Sequence, residues 1–252
     1  MINTTTLTFS SSILLILFGL LITIKLAKSS PKKDSTTMIS SLVLDGLKAF
    51  QKRVLSSMYQ ILLYTTLVLL VFSQIFDKPF SWIQVLSFFI GGTLISISST
   101  FGLIIIPKIT PKIIQKSNGY LKDCLNPLFN ISSAIGSITT GLIILGLISC
   151  NTFLGTTSLI GYSLGIILST FFLRIGGGLF MSSAKICADI ITKVNKKIPD
   201  FDKRNPATFL DICGEYIGKI CGFSTDILGS FIFVIISCII FSSTLFEKNY
   251  IT

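Results

Sequence analysis

Two segments of the sequence place acidic and basic side chains at intervals of four residues. They are Lys185, Asp189 and Lys193 in the first segment, and Asp211, Glu215 and Lys219 in the second. If both segments are helical, each set stacks on one helix face. Facing carboxylates could hold Mg²⁺, which usually takes one or two carboxylates and completes its shell with water and substrate phosphate. An ion-pair ladder on a solvated helix face has the same spacing, so both interpretations stay open.

Glycines accompany the second charged segment at the same interval. Gly214, Gly218 and Gly222 recur every fourth residue. Small residues at this spacing let two helix backbones approach closely. The pattern therefore predicts that the second segment packs tightly against a neighbouring helix.

The composition places these segments in a membrane protein. Half of the 252 residues are hydrophobic and only 13% are charged, against about 25% charged residues in soluble domains. Six apolar runs reach the ~20 residues that a membrane-spanning helix needs. They are Leu7–Leu26, Val54–Phe76, Phe80–Pro107, Leu128–Cys150, Ser158–Met181 and Ile227–Phe246. The predicted fold is an all-α, polytopic transmembrane bundle that forms a single membrane domain over residues 1–252.

Helical periodicity extends beyond the last two apolar runs. It predicts a fifth helix over residues 158–194 and a sixth over 211–246, joined by a loop over 195–210 that contains Pro199 and Pro206. At ~1.5 Å per residue, both helices are long enough to project above the membrane surface. The first run lacks a preceding basic stretch and a clear cleavage site, so we interpret it as a retained helix rather than a signal peptide.

The net charge of +10 reports topology rather than nucleic-acid binding. Seven Lys and Arg residues lie in positions 25–53, four in 108–122 and seven in 185–219. Basic residues thus alternate from loop to loop, as the positive-inside rule describes. We expect these three loops to be cytoplasmic, both termini to lie on the other side, and the partner to be membrane lipid rather than nucleic acid.

Several common site chemistries are excluded by composition. The chain has no histidine, and its six cysteines occur singly without a C-x-x-C pair. No G-x-x-x-x-G-K-[ST] motif is present, which excludes a nucleotide P-loop of that type. Histidine-based triads and zinc sites built on histidine are likewise excluded.

The stretch from Arg174 to Phe231 resembles, without a gap, the first substrate-binding segment of the membrane pyrophosphatases. The resemblance includes the GGG of Gly176–Gly178, the RNPA of Arg204–Ala207, and the glycines at every fourth position. Weaker likeness upstream extends it over the whole chain, which corresponds to the first six of that family's sixteen helices. The resemblance implies pyrophosphate hydrolysis coupled to proton or sodium pumping, with Mg²⁺ as cofactor.

The resemblance also implies roles for individual residues. Asp189, Asp211 and Glu215 match catalytic, metal-binding acids, Asp200 matches a further metal-binding acid, Lys193 matches a substrate-binding lysine, and Arg174 and Asp226 match groups on the ion path. These assignments follow from position in the matching segment.

The chain departs from the family pattern at several of the same positions. Ser182 replaces a substrate-binding lysine, Asn195 replaces a glutamate, and Lys185 and Lys219 replace acids. The ion-gate glutamate should fall at position 229 or 233, where this chain has glycine and phenylalanine. The six stacked positions therefore carry three acids and three lysines, where the family pattern has five acids and one lysine.

We interpret the substituted segment as an internal ion-pair network in a partial or degenerate pump that is inactive as a lone chain. The remaining family site residues lie on later helices that this sequence does not contain. The alternative is a non-catalytic membrane subunit or scaffold that packs against a full-length pump or another membrane partner. We also expect a homo-oligomer or an association with a full-length homologue.

Overall fold

The chain is a bundle of long helices in a computed structural model, which describes residues 4–28, 35–75, 81–116, 121–194 and 206–249. No strand occurs within these ranges. The helices are α1 (Thr4–Ala27), α2 (Ser35–Ile75), α3 (Trp82–Lys116), α4 (Leu121–Leu154), α5 (Ser158–Val194), α6 (Pro206–Tyr216) and α7 (Thr225–Asn249), with a π-helical segment (Ile217–Ser224) between the last two. Because α6, the π-helical segment and α7 follow one another without a break, we call them together the sixth membrane helix.

The predicted all-α transmembrane bundle is confirmed. Six helices in the described parts of the chain are long and apolar enough to cross a membrane. Each overlaps one of the six apolar runs, and the fifth and sixth extend well beyond theirs.

The ends of several helices differ from the sequence prediction. α2 begins at Ser35 rather than near Val54, and α3 continues through Pro107 to Lys116. α4 begins ahead of Pro127, which lies inside the helix. Hydropathy identifies only the part of a helix that lies in lipid, so it does not locate the ends of helices that extend beyond the lipid. The prolines are tolerated because neighbouring groups in a membrane helix can form hydrogen bonds with the backbone atoms that a proline leaves without a partner.

The sixth membrane helix also differs from its predicted form. It begins at Pro206 rather than near Asp211, so residues 206–210 are helical and not part of the loop. Proline is favoured at the first helical position because its missing N–H would lack a partner there in any case. The predicted loop residues 195–205 lie outside the described residues.

α5 lies at the centre of the bundle and packs directly on α3. A Cβ built on Gly161 or Gly165 would collide with the carbonyl oxygens of Gln84 and Phe88. Larger residues at these glycines would therefore force the two backbones apart. Ser87 Oγ donates a hydrogen bond of 2.7 Å to the Ser158 carbonyl and fixes the start of α5 against α3.

A buried tyrosine links α5 to α4 on the other side. Tyr162 is fully buried, and its hydroxyl donates a hydrogen bond of 2.7 Å to the Ile143 carbonyl. The ring packs in an apolar cluster with Ile95 of α3 and Ile236 of α7. This core holds together four of the helices and leaves the opposite end of α5 for the charged residues.

A second apolar core lies next to the charged segments. Val43 and Leu47 of α2 are buried there with Leu173 of α5 and Ile217 of the π-helical segment. Asp45, between the two α2 residues, is exposed. The part of α2 outside its apolar run is therefore an amphipathic brace for the fifth and sixth membrane helices.

Candidate functional site

The two charged segments lie on adjacent helices that are in close contact. A Cβ built on Gly214 would lie 3.0 Å from Met181 Cα and 3.2 Å from Ala184 Cβ. A Cβ built on Gly218 would overlap the Met181 side chain. The glycine spacing thus does what the sequence predicts, since Gly214 of α6 and Gly218 of the π-helical segment both lie directly against α5.

The charged residues of the sixth membrane helix form a ladder beside these glycines. Lys219 Nζ lies 3.4 Å from Glu215 Oε2, and the two side chains are 67% and 56% exposed. An exposed pair at this spacing contributes only about 0.3–0.5 kcal/mol to stability. The main effect of the pair is on charge. Lys219 neutralises the Glu215 carboxylate, and Lys219 itself stands where the family resemblance implies an acid.

Asp211 connects the ladder to α5. It is partly buried, and its carboxylate interacts electrostatically with Lys185 and Asp189 of α5 as well as with Glu215. Partial burial and the Glu215 charge act most strongly against the ionised carboxylate, and Lys185 offsets them only in part. The structure therefore brings together Asp189, Asp211 and Glu215, with lysines beside them.

The other predicted site residues are placed less centrally. Lys193 is exposed in the last turn of α5, and Ser182 is exposed four residues after Gly178. Asp200 lies outside the described residues. Its predicted role as a metal ligand therefore stays a prediction.

The described acids do not form an all-protein metal cage, although Mg²⁺ needs only one or two carboxylates beside water and substrate phosphate. Within residues 4–28, 35–75, 81–116, 121–194 and 206–249, no three acidic or cysteine side chains converge on a point where they could hold a metal. Of the three predicted acids, Glu215 is already paired with Lys219 and Asp211 interacts with Lys185. A divalent cation would have to compete with both lysines for these oxygens.

A second charge pair crosses between helices deeper along the bundle. Arg174 Nε of α5 lies 3.9 Å from Asp226 Oδ2 of α7. The guanidinium also lies over the Phe223 ring, 5.5 Å from its centroid, a distance that permits a cation–π interaction. Sequence reasoning assigned both charged residues to the ion path but did not pair them. Two ionisable residues of opposite sign in neighbouring apolar segments were the available signal.

The two candidate gate positions are occupied as the sequence indicates, without a carboxylate. Gly229 is buried against α5, where a Cβ would lie 3.1 Å from Thr170 Cγ2. Phe233 is one turn further on and 47% exposed. Neither residue can carry a proton or bind a cation with its side chain.

The support that α2 gives to the site was not predicted. Gly46 lies against Cys213, whose thiol donates a 3.6 Å hydrogen bond to the Val43 carbonyl. The Phe50 and Phe180 rings are 5.2 Å apart, which ties α2 to α5 as well. The sequence predicts an amphipathic piece over Ile39–Arg53, with Leu42, Val43, Gly46, Ala49 and Phe50 near one face, but it does not say which helices receive that face.

The architecture defines a class of protein before any relative is considered. Six apolar helices form the bundle, and acids and lysines are grouped where α6 packs on α5. This is an integral, multi-pass α-helical membrane protein with charged side chains grouped beside the contact between two of its helices.

A family model described as inorganic H⁺ pyrophosphatase matches residues 13–252. The chain therefore belongs to this family, and the resemblance seen in the sequence is confirmed.

Individual relatives match most of this chain. A K⁺-insensitive pyrophosphate-energized proton pump 2 of Moorella thermoacetica is 23% identical over 229 residues, which cover 88% of this chain and 33% of the relative. A putative K⁺-stimulated pyrophosphate-energized sodium pump of Clostridium tetani is 24% identical over 95% of this chain and 35% of the relative. Pyrophosphate-energized membrane proton pump 3 of Arabidopsis thaliana is 34% identical over 90 residues, 36% of this chain and 11% of the relative. The chain thus spans about a third of the length of the first two relatives.

Proposed function

We propose that this chain is a degenerate member of the pyrophosphate-energised ion-pump family that does not hydrolyse pyrophosphate as a lone chain. Its first substrate-binding segment has exchanged metal binding for an internal ion-pair network. The observation that carries the proposal is the pair of Lys219 with Glu215, 3.4 Å apart, together with the favourable charge interaction between Lys185 and Asp211.

Charge balance explains why this exchange would abolish Mg²⁺ recruitment. A cluster of acids without counter-ions attracts a divalent cation, and binding it relieves the repulsion among them. Here Lys219 pairs with Glu215, and Lys185 offsets part of the repulsion between Asp211 and the neighbouring acids. Mg²⁺ would have to displace ammonium groups, and its demand for octahedral oxygen geometry adds a further constraint.

The same proposal includes an orientation and an environment. The basic loops lie on the cytoplasmic side, both termini lie on the opposite side, and lipid surrounds the bundle. Lysine and arginine are concentrated in every second loop along the sequence, and this distribution supports the orientation.

A direct test measures activity in vesicles. The full chain, reconstituted with Mg²⁺ and pyrophosphate, should release no more phosphate than empty vesicles and should take up neither protons nor sodium ions. Phosphate release above that background would contradict the proposal, because it would show that a complete site forms without another chain.

A second test addresses the lysines themselves. The variant with Lys185→Asp and Lys219→Asp restores acids at both positions, so Mg²⁺ should protect residues 193–204 from trypsin in the variant and not in the unsubstituted protein. Trypsin sites within that range are shared by both proteins, so the comparison is direct.

Lys48→Asp serves as the matched control for this second test. Lys48 Nζ lies 3.5 Å from Asp45 Oδ1 in an exposed pair of the same kind on α2. Its replacement makes the same change of charge away from the ladder. Mg²⁺ should therefore not protect residues 193–204 from trypsin in this variant. Protection of the unsubstituted chain by physiological Mg²⁺ would refute the ion-pair network.

Survival of the packing residues favours a non-catalytic role with a partner. Gly214 and Gly218 still seat α6 on α5, while the substitutions fall on the charged positions. Selection on the fold without selection on the site is typical of a scaffold or subunit. Co-expression with a full-length homologue should therefore leave this chain in a complex that survives purification, and separation of the two in every detergent would count against this role.

A further inference from the structure

One flank of the bundle, shared by α5 and α7, carries both charged and small polar side chains in the apolar part of the helices. We call it the α5–α7 face and define it by five exposed residues: Phe171, Arg174, Asp226, Ser230 and Ser237. Leu179 and Phe223 lie along the two helices between the Arg174–Asp226 pair and the charged ladder, and they are 65% and 54% exposed. The pair is therefore flanked by lipid-facing apolar side chains and lies below the part of the bundle that projects into water.

The Arg174–Asp226 pair is incompletely satisfied within one chain. The two side chains are 48% and 52% exposed, and Arg174 Nε lies 3.9 Å from Asp226 Oδ2, which is longer than the ~3.2 Å limit of a good hydrogen bond. Ionisable residues in membrane segments usually face the bundle interior or a water-filled space. A guanidinium has several N–H donors and a carboxylate has two acceptor oxygens, so both side chains keep hydrogen-bonding capacity for a further partner.

Small hydroxyl residues continue this face along α7. Ser230, Ser237 and Thr244 are exposed and follow one another at intervals of seven residues. At about 3.6 residues per turn, all three lie within about 40° of Asp226 around the helix axis. Each hydroxyl donates to a carbonyl of its own helix, so its oxygen can still accept a hydrogen bond. Small polar residues of this kind are enriched where membrane helices pack on one another.

The α5 side of the face is bulky at the depth where the α7 side is small. A Cβ built on Gly229 would lie 3.1 Å from Thr170 Cγ2, so the neighbouring residues Ser230 and Phe171 lie at about the same depth. Phe171 is 56% exposed. A projecting ring on one helix thus lies beside a small side chain on the next.

This arrangement makes the α5–α7 face complementary to itself. Two copies inserted in the same orientation form a closed dimer only about a twofold axis along the membrane normal. Such an axis keeps every residue at its own depth and places α5 of one copy opposite α7 of the other. Because Arg174 and Asp226 lie at one depth, Arg174 of each copy then faces Asp226 of the other. Phe171 faces Ser230 in the same way.

We propose that the chain forms a homodimer through the α5–α7 face, in which each Arg174 pairs with the Asp226 of both copies. Lipid tails offer no hydrogen-bonding groups at this depth. A different protein would need a base and an acid of its own, in the reverse order and at the same depth. A second copy supplies both by symmetry, and the dimer completes the pairing that one chain leaves half exposed.

Exchange of the two charges tests the proposal and retains one acid and one base in each chain. The double variant Arg174→Asp with Asp226→Arg should still pair with itself. In a mixed dimer with the unsubstituted chain, however, each acid would face an acid and each base would face a base. We expect the mixed dimer to be weaker than either like-with-like dimer by at least about tenfold, because juxtaposed like charges suppress wrong pairings.

The measurement is energy transfer between donor-labelled and acceptor-labelled full chains in lipid vesicles, as the protein is diluted with lipid. If lipid or a different membrane protein covers the face, unsubstituted chains in vesicles that contain this chain alone will show no transfer above the random level. If copies meet through another surface, all three mixtures will give equal transfer. Either result would overturn the proposal.

Disulfide cross-linking locates the interface without altering its charges. Differently tagged Phe171→Cys and Ser230→Cys chains are mixed in vesicles and oxidised with copper–phenanthroline, and the linked peptides are quantified by mass spectrometry. Ile235→Cys replaces Ser230→Cys in the control, because Ile235 is 43% exposed on another side of α7. We expect at least about tenfold more linkage of position 171 to 230 than to 235, since a disulfide needs Cβ atoms within about 4.5 Å. Equal yields of the two products would refute the proposed arrangement.

Discussion

The two ion pairs of the sixth membrane helix have similar distances, but one lies within a single helix and the other joins two helices. Glu215 and Lys219 are 3.4 Å apart on one helix, and Arg174 and Asp226 are 3.9 Å apart on two helices. The first pair forms whenever residues 215–219 are helical. The second forms only if α7 has the correct position and rotation against α5.

The difference separates charges that depend on the packing of the helices from charges that do not. Charges that pair within one helix can be substituted at little cost, because no tertiary contact depends on them. Contacts between helices, whether glycine to backbone or Arg174 to Asp226, are part of the architecture. We therefore expect substitutions between the helices to destabilise the chain and substitutions in the ladder to have almost no effect on stability.

The largest effect is expected at the glycine contact. Gly214→Leu should lower the free energy of unfolding by about 1–3 kcal/mol, the usual cost of overpacking, because its Cβ would lie 3.0 Å from the Met181 backbone. Gly178→Leu is the control, since a Cβ there meets nothing within 4 Å. Unfolding in mixed detergent micelles compares the two, and equal destabilisation would show that the contact between α5 and α6 is not specific.

A smaller effect is expected at the pair between the helices. Arg174→Met should cost about 0.5–1 kcal/mol, because it removes the partner of Asp226 and the contact with Phe223, and the two charged side chains are 48% and 52% exposed, which weakens the pair. Adding Asp226→Leu should recover most of the loss, measured by the same unfolding titration as a double-mutant cycle. If the double variant is as unstable as the single one, the packing of the arginine and not its charge is what matters.

The smallest effect is expected at the pair within the helix. Glu215→Gln should change the free energy of unfolding by less than about 0.5 kcal/mol, because both side chains are more than half exposed. The measurement is again unfolding in micelles, at low and high salt. A loss larger than that of Arg174→Met would reverse the comparison between the two pairs.

Much of the fold could be predicted because its signals are local and strong. Apolar runs of membrane length identify six spans, and glycines at every fourth residue in 214–222 identify the tight contact of α6. Helix ends were less predictable, since hydropathy falls where a helix leaves the lipid and says nothing about where it stops. The continuation of α3 through Pro107 and the start of α2 at Ser35 are examples.

The candidate site could be predicted as a set of residues but not as an arrangement. Spacing placed Asp211, Glu215 and Lys219 on one face, and the structure confirms the pair between the last two. The pairing of Arg174 with Asp226 depends on the rotation of α7 against α5, and no pattern with a period of 3.6 residues reports that rotation. The bracing of Cys213 by α2 is likewise a tertiary contact.

The eight residues from Ile217 to Ser224 change the rotation of α7 about the helix axis relative to α6. In a π-helix each N–H bonds to the carbonyl five residues back instead of four, so these residues advance around the axis by a smaller angle than in an α-helix. Side chains of α7 therefore point in a different direction around the helix axis than they would if one uninterrupted α-helix began at Pro206. If this segment converted to α-helix, Asp226 would rotate away from Arg174, while Asp211 and Glu215, which precede the segment, would keep their positions. The π-helical segment thus sets the direction in which the α7 side chains point, independently of Asp211 and Glu215 in α6.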